Sequence, residues 1–198
     1  VDNKFGKFAV KFDDGTVETW RPGDRVPAWA AYTDCEIVAH NAPFEAAIWT
    51  HILTPRYGWP ELDPARLVCT MARAYVMALP GGLGAALAAL GVDVQKDKQG
   101  HALMLRMCRP RSVADDGTPV WWDDAERLER LRQYCITDVE GERKLYHLLF
   151  PLGEVESRIW QMDYRINQRG VRVDRASIVA ALEAVKGTKG GLDAEMRR

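Results

Sequence analysis

No apolar run in this chain approaches the roughly 18 residues of a membrane span, and no signal peptide opens it. A cytoplasmic setting with no membrane partner is therefore expected. Cysteine is scarce. The four residues Cys35, Cys69, Cys108 and Cys135 form no C-x-x-C pair and have no histidine at zinc-ligand spacing. They are expected to be reduced thiols, mostly packing as small apolar groups. Charge of one sign is lacking too: 27 Lys and Arg against 28 Asp and Glu leave a formal net charge of −1. No global basic field marks a nucleic-acid partner, although the acidic ligands of a metal-dependent nuclease would cancel a basic groove. There is no internal repeat or low-complexity tract. An opening on Val rather than Met is expected of a fragment.

What remains is an ordinary globular composition, 47% hydrophobic and 28% charged over 198 residues. The stretches 7–12 and 16–20 alternate apolar and polar residues around Asp13-Asp14-Gly15, which predicts a hairpin. A short helix is expected over 27–32 and a buried strand over 37–40. With Pro43 tolerated in its first turn, a helix follows over 44–53. A proline-punctuated loop over 54–64 leads to a brief strand over 66–69, and Thr70 is the expected N-cap of a helix to Leu79. Further helices are predicted over 83–90, within the basic stretch 96–111, and from an Asp123 or Asp124 cap through Leu149. Residues 113–122 read as a loop. The stretch 154–168 is amphipathic and ends at Gly170, and Asp174 caps a last helix before a Gly- and Lys-rich end. This succession predicts an α/β domain over residues 1–152 and a helical segment over 153–198.

Two stretches carry chemistry. On the long helix, Tyr134 and Asp138 stand four residues apart, so a phenol and a carboxylate share one face. The run IVAHNAPFE, residues 37–45, ends a strand in Asn41 and then offers Glu45. Hard divalent ions need oxygen ligands, and the two stretches together point to a carboxylate site holding metal beside a phosphodiester. Taken singly, each residue has a plainer reading: Glu45 as a first-turn acid complementing the helix dipole, Tyr134 and Asp138 as an ordinary helix face.

IVAHNAPFE followed by YCITDV resembles the second and third exonuclease motifs of the DEDD family with a tyrosine, as found in family A DNA polymerases. GHALMLRMCRPR (100–111), the Trp121-Trp122 loop and the run E-x-x-x-W-x-x-D-x-x-I-N-x-R-G-V-x-V-D (156–174) resemble phage and prophage polymerases of that family. The resemblance spans about residues 7–174. It implies a ribonuclease H-like mixed sheet flanked by helices, running into the thumb side of a polymerase. It also implies 3′→5′ proofreading hydrolysis at the single-stranded 3′ end of a primer-template, with two Mg²⁺ or Mn²⁺ about 3.5–4 Å apart. Asp138 and Glu45 would be the metal ligands, and Tyr134 would orient the attacking water. Asn41 and Phe44 would contact the terminal nucleotide, while Lys96, Lys98, Arg109 and Arg111 would track the DNA backbone. The rest of the polymerase chain is the implied protein partner, in the cytoplasm of a bacterial host.

One part of that pattern is missing. The first motif, Asp-x-Glu on a strand preceding the hairpin, has no match. Asp34-Cys35-Glu36 sits in a turn, and Asp124-Ala-Glu126, Asp138-Val-Glu140 and Asp193-Ala-Glu195 fall on predicted helices. Either an upstream segment carrying that strand lies outside this sequence or another strand fills the gap, and the two-metal site of the chain as given is expected to be incomplete. An impaired exonuclease follows, or a catalytically incomplete module that positions DNA or braces the polymerase. A stand-alone ribonuclease is disfavoured by residues 156–174.

Overall fold

A computed structural model describes residues 8–92 and 97–196. Strands β1 (Phe8–Lys11) and β2 (Val17–Trp20) form the expected antiparallel hairpin, with Lys11 opposite Val17. Its turn is set by chemistry the sequence displays: Asp14 accepts the Thr16 N–H at 2.8 Å, and Gly15 takes a positive φ of 89°. A 3₁₀ turn at Ala28–Ala31 leads to β3 (Ile37–Ala39). After it come α1 (Ala42–Ile48), a π turn (Trp49–Leu53) and α2 (Thr54–Tyr57). The helical path thus runs past the predicted end at 53. Pro55 is accommodated because it enters the first turn of α2, where its missing N–H costs no hydrogen bond.

Strand β4 (Leu67–Cys69) pairs in parallel with β3, Ile37 facing Leu67 and Ala39 facing Cys69. Helix α3 (Thr70–Val76) follows directly. Thr70 is not its cap, contrary to the sequence expectation. The residue is fully buried, and its hydroxyl meets His40 Nδ1 at 3.0 Å, tying the ends of β3 and β4 together. Next come α4 (Leu83–Ala89), α5 (Lys98–Met107), β5 (Ser112–Val113) and β6 (Pro119–Val120). The last pair makes a short exposed hairpin where a loop was expected, and Pro119 is tolerated because a two-residue ribbon leaves its nitrogen at an edge. Helix α6 (Ala125–Leu148) starts at Asp124, whose carboxylate accepts the Arg127 N–H at 3.0 Å. Helices α7 (Glu154–Arg169) and α8 (Arg175–Met196) complete the chain. Asp174 caps α8, which runs helically through the Gly- and Lys-rich end.

The chain divides into two compact units, Val1–Ser157 and Arg158–Arg198. Among the described residues the first unit holds three separate two-stranded sheets, not the single mixed sheet the sequence implied. The architecture is mixed α/β, with helices predominating. The hairpin is secured by α6 instead of by a neighbouring strand. Arg143 donates to the carbonyls of Phe12 and Asp13, and Lys11 pairs with Glu140 at 3.3 Å. In the second unit, α8 lies almost wholly exposed and α7 carries a stacked Trp160–Tyr164 pair, ring centroids 5.8 Å apart.

Three apolar clusters hold the first unit. One is aromatic: Trp59 meets Trp20, Trp29 and Trp49 edge-on, with centroids 5.2, 5.3 and 4.9 Å away. A second packs α3 and α4 on the end of α6 through Ala74, Leu87 and Leu145. The third packs α5 on the middle of α6 through Met107, Leu131 and Tyr134. All four cysteines are free thiols; Cys69 is buried, but Cys35 and Cys108 are exposed, which departs from the expected packing role. Trp59 is 2% exposed at the hub of the aromatic cluster, so Trp59→Ala should lower unfolding free energy by about 3–5 kcal/mol. Trp59→Phe should cost distinctly less, both read from urea midpoints.

Candidate functional site

The end of β3, α4, the start of α5 and the centre of α6 enclose one cavity of about 250 Å³. Helical periodicity explains the α6 wall: Tyr134, Asp138 and Glu142 follow one another at four-residue intervals, with Gly141 three residues past Asp138, and so share a stripe. Leu131 lies one turn before that stripe and Leu145 one turn after it, both buried in apolar clusters.

Tyr134 is 7% exposed, and its hydroxyl lies 3.5 Å from His101 Nδ1. Burial raises its pKa well above the ordinary phenol value, and a hydrogen bond to the charged Asp138 carboxylate raises it further. At neutral pH Tyr134 is therefore a phenol, a donor to Asp138. His40, at the rim, has both ring nitrogens occupied, Nδ1 by Thr70 and Nε2 by the Gly81 carbonyl at 2.7 Å. Desolvation lowers its pKa and favours the neutral ring.

Glu45 is approached from the α1 side. Its Oε2 is buried and finds no hydrogen-bond partner, and burial pushes its carboxyl up to about 7. Glu142, half-buried on α6, is pushed up to about 8. Burial is again the largest cause, with the negative charges of Glu45 and Asp138 adding to it and a hydrogen bond from the His40 main chain opposing it. Glu45 and Asp138, from two helices, thus both act on Glu142 at the cavity wall. They do not make a metal centre as they stand: among the described residues no three His, Cys, Asp or Glu side chains are grouped so as to hold an ion. The residues present do not fit a complete two-metal set.

Of the residues singled out from the sequence, Tyr134 and Asp138 line the cavity, and Glu45 adjoins it through Glu142. Asn41 precedes α1 in the left-handed conformation, φ 69°, which asparagine tolerates better than most residues. Its side chain makes no cap hydrogen bond, and Phe44 is 61% exposed one position before Glu45. Lys98, Arg109 and Arg111 are exposed on and after α5 and do not line the cavity. Arg111 lies over the Trp122 ring at 5.4 Å, and Arg127 over the same ring at 5.1 Å. Lys96 lies outside the described residues.

Sequence reasoning passed over two cavity residues. Glu142 was within reach of the spacing rule that selected Tyr134 and Asp138, since it stands one turn beyond Asp138. His101 carried no such signal, because its link to Tyr134 depends on how α5 packs against α6.

Fold and site together define an α/β protein that gathers carboxyl groups and a buried phenol around one small cavity. No protein-family model and no solved structure matches the chain. Over 96% of its length it is 33% identical to the DNA polymerase of Bacillus phage SP02, spanning 31% of that protein. The chain is thus a sequence relative of part of a phage DNA polymerase.

The two raised glutamates fix the sign of a pH effect. A carboxyl whose folded pKa exceeds its unfolded value of about 4.5 is destabilised in its charged form by folding, so stability is full below that value. It is lost as pH rises through about 7 and 8. With chelator present, urea midpoints should fall from pH 5 to pH 8, and Glu142→Gln should flatten that fall; a midpoint that rises over this range contradicts the burial of these groups.

Proposed function

We propose that this chain is the 3′→5′ exonuclease-type segment of a phage-type family A DNA polymerase, built on a ribonuclease H-like plan. The observation that carries this reading is that Tyr134 and Asp138 from α6 line one cavity, with Glu45 from α1 acting on Glu142 of its wall, in a chain related to a phage polymerase. The substrate class is a single-stranded DNA 3′ end, which a mismatched primer supplies by fraying.

Within that reading the roles follow from the chemistry of each side chain. Tyr134, kept protonated by burial and by Asp138, donates to that carboxylate and leaves its hydroxyl oxygen to accept from a water at the cavity. Asp138 accepts, and orients the phenol. Asn41 and exposed Phe44 present a polar group and a ring beside Glu45, suited to a terminal nucleotide. Arg109 and Arg111, exposed near the β5–β6 hairpin, supply cations for the DNA backbone. Mg²⁺ or Mn²⁺, where bound, would supply charge neutralisation and an activated water. Glu45 and Asp138 are the ligands this reading assigns, too few to hold two ions.

A second reading, a module that binds DNA without cutting it, is favoured by the incomplete ligand set and by glutamates that hold protons near neutrality. Hydrolysis of a 3′-labelled single-stranded oligonucleotide in Mg²⁺ and in Mn²⁺, beside Asp138→Ala, separates the two. Weak cleavage that Asp138→Ala abolishes supports an impaired exonuclease. Binding without cleavage supports the module, and absence of both overturns the DNA assignment. In the same binding assay, Arg109→Ala and Arg111→Ala should weaken affinity for all sequences alike and lower the salt slope by about 1 each.

A further inference from the structure

The contact between α5 and α6 at Tyr134 is closer than apolar packing alone requires. Asp97 begins α5 by accepting the Gly100 N–H at 2.8 Å, and the same carboxylate pairs with Arg130 at 2.5 Å. Arg130 stands on α6 one turn before Tyr134. The start of α5 is therefore pinned to the turn of α6 that carries the phenol. At the next contact the backbone itself touches the ring: a Cβ on Gly100 would lie 2.6 Å from Tyr134 Cδ2, a distance real side chains do not adopt. Glycine there lets the helix approach the ring, and the following residue is His101.

His101 lines the cavity, and Tyr134 is its one side-chain hydrogen-bond partner among the described residues. The rings are tilted at 56° with centroids 6.4 Å apart, so they do not stack. The 3.5 Å separation of hydroxyl and Nδ1 is long for a hydrogen bond, and a small rotation of either side chain closes it. A phenol has one proton to donate and two acceptors here, the Asp138 carboxylate and the His101 ring nitrogen.

We propose that His101 is a positioning residue of this site, its Nδ1 serving as a second acceptor for the Tyr134 hydroxyl when Asp138 is engaged elsewhere. The Asp97–Arg130 pair and Gly100 exist on this account to hold that geometry. Whenever a substrate oxygen, water or cation occupies Asp138, the phenol turns to His101 and stays on the cavity wall. The imidazole is then fixed as the tautomer carrying its proton on Nε2, with Nδ1 free to accept. This assignment deepens the reading of the cavity as a phosphodiester site, yet its test needs no turnover, so inactivity toward DNA leaves it decidable.

The measurement is a long-range ¹H–¹⁵N spectrum of the full chain labelled in histidine, with the four ring systems assigned by single substitution. Near pH 8 the wild type, with Asp138 free to accept the phenol proton, should show only a weak hydrogen-bond shift at His101 Nδ1. Asp138→Asn, which weakens the competing acceptor while leaving Tyr134 in place, should shift the Nδ1 resonance further in the hydrogen-bonded direction. Tyr134→Phe should cancel that shift and mix the tautomers, whereas His40 should keep its signal. A His101 ring protonated on Nδ1 in Asp138→Asn, or one whose resonances ignore both substitutions in a folded chain, overturns the proposal. Should Tyr134→Phe fail to fold, the Asp138→Asn spectrum alone decides: an unmoved Nδ1 resonance refutes the role.

Discussion

Along α6, Leu131 and Tyr134 are buried toward α5 while Leu145 is buried toward α3 and α4, and the residues between belong to neither apolar cluster. That division places Asp138, Gly141 and Glu142 at a seam where three helices and the end of β3 come together without filling the space. A helix of 24 residues is long enough to serve both clusters and to secure the first hairpin through Glu140 and Arg143 as well. The cavity is thus a consequence of how one helix is shared, and the elements around it are fixed by contacts that lie outside it.

The seam has an electrostatic cost. Ionised carboxylates lose hydration when buried, and nearby like charge adds to that loss. Glu45 with an orphaned oxygen and Glu142 beside it both respond by holding protons to near or above neutrality. Tyr134 responds in the same direction for the same reason. Asp97 does the opposite. Its hydrogen bond to the Arg130 guanidinium keeps its carboxyl below the usual range, so it remains charged and structural. The site therefore contrasts proton-holding acids on one side with a fixed ion pair on the other.

Much of this was legible in the sequence. The Asp-Gly turn predicted the hairpin, Asp124 and Asp174 announced the helices they cap, and a four-residue spacing put Tyr134 and Asp138 on one face. What escaped depends on contacts between segments distant in the chain. Thr70 looked like a cap because local preference ignores the strand end 30 residues earlier that claims its hydroxyl. The 113–122 stretch looked like a loop because its pairs are too short for alternation to register. The expected single sheet rested on resemblance, and the described strands make separate pairs, with α6 taking part of a neighbouring strand's role.

A further acid near this seam would act on both glutamates. A carboxylate on a strand between β1 and β3 would bring charge to the cavity's rim from the sheet side, where only His40 now contributes. Its negative charge would raise the tendency of Glu45 and Glu142 to stay protonated, unless a cation entered with it. The same group is thus unfavourable alone and favourable with metal, the coupling expected wherever ligands must be deprotonated to bind. Where no cation is bound, protons do the work it would otherwise do, and the carboxyl groups at the seam remain compatible with a folded core.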